Sequence, residues 1–191
     1  MLHLSIEGMD GIGKSTTCKL LAERLGFIFV EKPLHLLFDK DESSFDEYIR
    51  IRDQVNANPN RDFTSLFYGL GSLYMYEKYK DNSIVTDRHL ASNYAWSGVD
   101  TNRDVYELLL KKLGKPRLTV ILTANEETVV KRLKSRNPLD SDIHKATKTK
   151  EICDKMIYFC KEFGLPFIVV DTGNLNPNQV VDKIISAWEQ I

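Results

Sequence analysis

The chain has 191 residues, of which 42% are hydrophobic and 28% are charged, as in an ordinary globular protein of about one domain. Its 26 lysines and arginines nearly balance its 27 aspartates and glutamates, which gives no electrostatic reason to expect binding to nucleic acid or to an anionic membrane. The cysteines, Cys18, Cys153 and Cys160, have neither the even number nor the spacing of a disulfide framework or a zinc site.

The amino end carries no targeting pattern. Residues 1–8 lack the basic start and long apolar stretch of a signal peptide, and no apolar run along the chain approaches membrane-spanning length. We therefore expect a cytoplasmic protein without membrane contacts.

Short apolar runs alternate with amphipathic segments along the whole chain. The runs are nearly continuous, as in strands covered on both faces, and lie at residues 2–6, 27–30, 83–86, 117–123 and 167–170. The amphipathic segments predict helices at 15–25, 45–55, 65–80, 105–113, 126–136, 151–163 and 177–190, the last one capped by Asn176 before Pro177. This alternation predicts an α/β fold in one domain over residues 1–191, a doubly wound, five-stranded parallel sheet flanked by helices.

A glycine-rich loop follows the first predicted strand. Residues 8–15 fit the pattern G-x-x-x-x-G-K-[ST] of a P-loop, and the match opens a helix as the pattern requires. An accidental match is expected in on the order of one in a hundred chains of this length, and the strand–loop–helix context argues against it. Glycines let backbone amides approach phosphate, the helix start favours an anion, and lysine and hydroxyl side chains bind phosphates and Mg²⁺. The predicted ATP-binding residues here are Gly8, Asp10, Gly11, Gly13, Lys14, Ser15 and Thr16.

The loop alone does not separate a kinase from a GTPase or a mechanical ATPase. The chain has no N-K-x-D motif, which reads guanine in GTPases, and the apolar run ending at Asp87 continues with Arg88 rather than the glutamate of a mechanical ATPase. Asp87 and Arg88 follow a buried strand, so they should face the same crevice as the P-loop. There Asp87 can hold Mg²⁺ or its waters, and Arg88 can bridge phosphates. The alternative is a helix cap and a surface arginine.

Four segments together resemble the thymidylate kinase family. IEGMDGIGKST is similar to its phosphate loop, TDRHLASNYAWSG to its D-R-[YH] segment, VVKRLKSR to the R-x-x-x-R that opens its lid, and PFIVVDTGN to its last strand and adenine loop. The resemblance implies transfer of the ATP γ-phosphate to a nucleoside monophosphate, with dTMP as first choice, Mg²⁺ as cofactor, small-molecule nucleotides as partners and a homodimer as the family's common assembly.

The resemblance also implies roles for individual residues. Lys14, Asp87, Arg88 and Arg136 would be catalytic, and Ser15 and Asp87 would hold the metal. Arg132 and Arg136 would close a lid of about residues 136–150 on ATP, and the segment 131–150 has seven lysines and arginines against two aspartates. The alternative to a role in ATP binding is that these lysines and arginines simply lie on a solvent-exposed helix face. The predicted acceptor-binding residues are Asp10, Glu31, Phe67, Arg88 and Tyr94.

The chain departs from the family pattern at two places, so its sequence does not decide whether the acceptor is a monophosphate or a nucleoside. The family has an arginine shortly after a leucine-phenylalanine pair, whereas no arginine lies between Arg61 and Arg88 here; Lys32 or Arg61 could substitute. Glu31 before Lys32-Pro33 resembles the Glu-x-Pro of deoxynucleoside kinases, where a carboxylate takes the proton of a sugar hydroxyl. A deoxynucleoside kinase is therefore the second hypothesis, and a nucleotide-binding regulator without turnover is the third.

Overall fold

The structure is a computed structural model that describes residues 1–41, 44–140 and 142–191. Within these ranges the strands are β1 His3–Glu7, β2 Ile28–Glu31, β3 Ile84–Asp87, β4 Leu118–Thr123 and β5 Phe167–Asp171. All neighbouring strands pair in parallel, in the spatial order β2-β3-β1-β4-β5. The predicted five-stranded parallel sheet is confirmed, with each strand within one residue of its predicted position.

Helices connect the strands. The helices in the described residues are α1 Lys14–Leu25, α2 His35–Phe38, α3 Asp46–Ala57, α4 Arg61–Lys78, α5 Leu90–Ser97, α6 Arg103–Leu113, α7 Glu126–Arg136, α8 Thr149–Glu162 and α9 Pro177–Trp188, with 3₁₀ turns at Asp100–Asn102 and Ile143–Lys148. None of these helices combines the length and apolar character needed to cross a bilayer.

Local capping explains several helix boundaries. Asn176 accepts from the amide of Gln179 at the start of α9, as the sequence predicted. The helix predicted at 65–80 begins four residues earlier, because Asn60 accepts from the amide of Phe63 at 3.1 Å. Helices α2 and α5 were not predicted from the sequence; α2 is a single turn, and α5 has no side-chain cap of its own.

The core lies on both faces of the sheet. Successive residues of a strand point to opposite faces, so Val120 belongs to the apolar cluster beneath α1, α7 and α9, whereas Ile121 belongs to the cluster beneath α5, α6 and α8. Both side chains are fully buried. Because the strands are parallel, their carboxyl ends meet at one edge, and Glu31 lies opposite Asp87 in the register of β2 and β3.

Candidate active site

A large cleft opens at the carboxyl edge of the sheet. Its volume is about 1370 Å³, which exceeds the range of about 300–1,000 Å³ for a single small-molecule site. The phosphate loop crosses its middle. One end lies against α7, α9 and Thr172, and the other lies between β2, α3, α4 and α5; we call the latter the acceptor end. This shape suits two ligands that meet over the loop.

Two glycines let the phosphate loop lie close to the body of the protein. Gly8 and Gly11 have φ angles of 142° and 78°. A β-carbon on Gly8 would come within 2.8 Å of the Leu122 carbonyl oxygen, and one on Gly11 within 2.7 Å of the Leu133 side chain. The first turn of α1 has neither a side-chain cap nor an acidic residue. Its amides are therefore open to an anion.

Lys14 is anchored across the loop that it follows. Its ammonium group donates to the Met9 carbonyl at 2.8 Å and lies 3.5 Å from Asp10 and 4.0 Å from Asp87. Burial lowers the pKa of Lys14, Arg88 adds to this effect, and the two carboxylates oppose it. The side chain is only 6% exposed, so a phosphate above the loop would meet a desolvated cation, whose attraction is stronger than in water.

Ser15 and Asp87 come together as the sequence predicted. The Ser15 hydroxyl donates to the Asp87 carboxylate at 2.6 Å. Hard oxygen atoms of this kind are what Mg²⁺ prefers, and the ion usually keeps waters and substrate phosphates as further ligands. No cluster of three or more histidine, cysteine or acidic side chains with metal-binding geometry occurs among the described residues. The pair thus fits a magnesium ion that arrives with a nucleotide.

Arg88 links the phosphate loop to β3. Its guanidinium donates to the Gly8 carbonyl at 3.0 Å and to the Asp10 carboxylate at 2.7 Å. Burial tends to raise the pKa of Asp10, but Arg88 and Lys14 more than offset this, so its pKa lies well below the usual range. Asp10 therefore stays ionised, and Arg88 keeps further N–H donors for phosphate oxygens.

The acceptor end has a polar wall that the sequence did not reveal. Tyr48, Arg52 and Asn56 are spaced four residues apart on one face of α3 and line the cleft. Tyr68 of α4 donates to the Asn56 side chain at 2.8 Å, which joins the two helices. Asn93 of α5 also lines the cleft and donates to the Ser65 carbonyl at 2.9 Å. The four-residue spacing on α3 is the signal that could have identified this wall.

Three predicted acceptor residues are placed differently from one another. Glu31 lines the cleft and receives a hydrogen bond from Lys32 at 3.3 Å. Phe67 instead stacks on Phe38, with ring centroids 6.2 Å apart, and its neighbour on the cleft is Tyr68. Tyr94 packs its ring against others behind α5, namely Tyr106, Tyr158, Phe159 and Phe163. The helical phase explains this, since α4 turns Tyr68 and α5 turns Asn93 toward the cleft.

The two predicted lid arginines have separate environments. Arg132 donates to the hydroxyl and carbonyl of Thr172, at 2.9 and 2.7 Å, and to the carbonyl of Ile12 at 3.3 Å. It therefore ties the phosphate loop to the loop after β5. Arg136 donates twice to Asp140, and its side chain is 59% exposed. Residue 141 of the predicted lid lies outside the described residues.

A family model and curated relatives match this chain over most of its length. A family model described as thymidylate kinase matches residues 6–184. A protein of Methanocaldococcus jannaschii named "Probable thymidylate kinase" is 27% identical, over 100% of this chain and 97% of its own.

Two solved structures show the fold. A deoxyadenosine kinase from M. mycoides, with dCMP and dCDP bound, has a TM-score of 0.66 at 17% identity, with 100% of both chains covered. A thymidylate kinase from Candida albicans has a TM-score of 0.69 at 18% identity, over 99% of this chain and 91% of its own. Each supports the P-loop kinase architecture described above.

Proposed function

Since the chain belongs to the thymidylate kinase family and is a nucleoside monophosphate kinase, we propose that it transfers the γ-phosphate of Mg-ATP to dTMP. An oxygen of the acceptor phosphate forms a bond to the γ-phosphorus, the bond from that phosphorus to the β–γ bridging oxygen breaks, and ADP leaves with dTDP as the other product. Such transfer needs in-line placement and neutralised charge more than covalent chemistry.

The proposal of a phosphorylated acceptor rests on one observation, which is that two arginines, Arg52 and Arg88, line the acceptor end. Burial raises the pKa of the phenols of Tyr48 and Tyr68, and Arg52 and Arg88 both oppose this shift. Arg52 and Arg88 line the same cleft as the rings of Tyr48 and Tyr68. The family has an acceptor arginine that this chain lacks between Arg61 and Arg88. Arg52 is a new candidate for its role, and Arg61 also lines the cleft.

Arg52 has a carboxylate partner that a phosphate can replace. Its guanidinium donates to Asp53 at 2.6 and 2.9 Å, and the Asp53 side chain is 61% exposed. An exposed pair of this kind contributes little stability, whereas a guanidinium binds phosphate through parallel, charge-assisted bonds. The acceptor phosphate would displace Asp53.

The experiment is ADP release with Mg-ATP and a panel of nucleosides and monophosphates. We expect turnover with dTMP, and Arg52→Gln should raise the KM for dTMP about 10–100-fold, the loss of one charge-assisted interaction, with the KM for ATP unchanged. Arg50→Gln is the matched control, because Arg50 lies on the same helix, paired with Glu47. A dTMP KM unchanged in Arg52→Gln would contradict the role of Arg52.

Glu31 favours a second candidate, a deoxynucleoside kinase. It lies at the carboxyl end of β2 beside Asp87 and faces the cleft, where a carboxylate could take the proton of a 5′-hydroxyl. Turnover of thymidine that is lost in Glu31→Gln would support this candidate. Turnover of dTMP that survives in Glu31→Gln would support the first. Tight ATP binding without any turnover would point to a nucleotide-binding regulator.

Magnesium and the lid complete the proposed donor site. Ser15 and Asp87 would hold Mg²⁺, which when bound neutralises charge on the phosphates. Arg136 lines the cleft, and we expect it to leave Asp140 for the phosphates of ATP as the segment 136–150 closes. In this proposal residues 1–191 form one kinase domain that works in the cytoplasm on small-molecule nucleotides.

We also propose a homodimer through α4. Four large apolar side chains on one face of this helix are 40–48% exposed: Phe63, Leu66, Leu70 and Leu73. Their spacing of three, four and three residues is typical of a face along which two helices pack. The opposite face of α4 lines the acceptor end, so the packing of two copies would stabilise this side of the cleft. Light scattering should give twice the chain mass for the unmodified protein and the single mass for Leu66→Glu/Leu70→Glu. An unmodified protein of single mass would refute the dimer.

A further inference from the structure

Glu7, the last residue of β1, is a buried carboxylate with four hydrogen-bond donors. Its side chain is 1% exposed. One oxygen accepts from the Ser5 hydroxyl at 2.5 Å. The other accepts from the amide of His89 at 3.2 Å, the amide of Ser92 at 3.1 Å and the hydroxyl of Ser92. Three of the four donors thus belong to the start of α5.

These contacts make Glu7 the cap of α5. The helix has no side-chain cap at His89 and no acidic residue in its first turn. An N-cap normally satisfies the amide of the third helical residue, which here is Ser92, and a negative charge at this end also complements the helix dipole. Glu7 supplies both functions from a neighbouring strand.

Arg88, just before this cap, has a left-handed backbone. Its φ is 76°, a conformation that costs energy for a residue other than glycine and persists only where its surroundings hold it. Two consecutive amides hold it here: that of Arg88 donates to the Ile6 carbonyl at 2.9 Å, and that of His89 donates to Glu7. The arginine side chain leaves this bend toward Gly8 and Asp10.

We propose that Glu7 is a positioning residue for phosphoryl transfer, which keeps Arg88 in its left-handed conformation and so aims the guanidinium at the point where donor and acceptor phosphates meet. Glu7 touches neither nucleotide in this proposal and acts through Arg88. The inference rests on the proposed transfer reaction, because its kinetic consequence appears only if the protein turns over.

Variants of Glu7 separate geometry from charge. Glu7→Asp keeps the charge but shortens the side chain by one methylene, so its carboxylate no longer reaches α5. Since a misplacement of about 1 Å can cost on the order of 100-fold in rate, we expect kcat to fall about 10–100-fold with the KM for ATP nearly unchanged. Glu7→Gln can accept from α5 through its carbonyl and donate to Ser5 through its amide, so kcat should stay within about fivefold. An aspartate variant as active as the unmodified protein would overturn the proposal.

Ser5→Ala is the matched control. Among the described residues, Ser5 is the one hydrogen-bond partner of Glu7 that does not belong to α5, so kcat should stay within about threefold in this variant. A loss in Ser5→Ala equal to that in Glu7→Asp would mean that general stability of the carboxylate site, not the cap of α5, controls the rate.

A double-mutant cycle tests whether Glu7 acts through Arg88. If it does, Glu7→Asp should lower kcat in the unmodified protein but cause no further loss in Arg88→Ala, since the group that it positions is gone. Multiplicative losses would overturn the proposal.

Amide hydrogen exchange provides a readout that does not need turnover. Exchange at His89 and Ser92 should accelerate in Glu7→Asp and stay slow in Glu7→Gln and Ser5→Ala. If the unmodified protein turned over no acceptor, the proposed function would fail, while unchanged exchange in Glu7→Asp would refute the positioning role by itself.

Discussion

Replacement of Arg88 by lysine keeps the charge but removes the fork of donors. The guanidinium has five N–H donors, of which one binds the Gly8 carbonyl and one binds Asp10. Three donors therefore remain for phosphate oxygens. A lysine ammonium has three donors in all, so only one would remain after the same two acceptors are satisfied.

The expected loss of rate follows from the number of N–H donors that lysine lacks. Two lost charge-assisted hydrogen bonds at about 1.5–3 kcal/mol each amount to about 3–6 kcal/mol of transition-state stabilisation. We therefore expect kcat to fall by about two to four orders of magnitude in Arg88→Lys. The KM for ATP should change far less, because in the proposed site the loop amides and Lys14 would bind the donor phosphates.

The assay is ADP release with saturating Mg-ATP and dTMP, with ATP affinity from calorimetry and the melting temperature as a check of the fold. Arg50→Lys is the control, because Arg50 is an exposed arginine on α3 that pairs with Glu47; it should leave kcat unchanged. If Arg88→Lys kept kcat within about threefold of the unmodified protein, Arg88 would not be the bridge between phosphates.

Further predictions concern the metal pair, protonation and the loop. Asp87→Ala should lower kcat more than 100-fold, because Asp87 is proposed to hold the metal, with ATP affinity largely retained in calorimetry. Burial lowers the pKa of His89 to about 3, below about 6.5 in an unfolded chain, so the unfolded state binds the extra proton and stability falls as pH drops below 6.5. At pH 5 the cost is about 2 kcal/mol, and His89→Asn should reduce this slope in denaturant titrations. Gly11→Ala should destabilise the protein by about 1–3 kcal/mol more than Gly26→Ala, because both have positive φ but only Gly11 meets Leu133; equal melting temperatures would contradict this.

The parts of the molecule that were predictable are local in the chain. The strands are continuous apolar runs, and the phosphate loop with its lysine and serine occupies eight consecutive residues, 8–15. Asp87 and Arg88 were predictable because the carboxyl ends of parallel strands share one edge. In each case the physical reason for the observed structure lies within a short segment of the chain.

The parts that were not predictable depend on distant partners. Helix α5 is capped by Glu7, more than 80 residues earlier, so its own sequence contains no start signal. The acceptor wall depends on how α3 and α4 face each other, which places Tyr68 against Asn56 and turns Phe67 away. The family's acceptor arginine belongs to the sequence region of α4, whereas the arginine Arg52 lines the cleft from α3.

The contrast between a local phosphate loop and an acceptor wall built from distant segments bears on how donor and acceptor would be held relative to each other. Asp10 belongs to the local phosphate loop, yet its carboxylate lies 2.7 Å from Arg88 and 3.5 Å from Lys14. In the proposed reaction this one anion would hold both the cation that bridges the two phosphates and a cation of the donor site. Glu7, three residues earlier, holds the backbone that carries Arg88. In the proposed reaction the segment 7–10 would therefore fix the distance between the donor and acceptor phosphates, on which in-line transfer depends. An acceptor wall built from α3 and α4 can then differ in the ligand it selects while the transfer geometry stays the same.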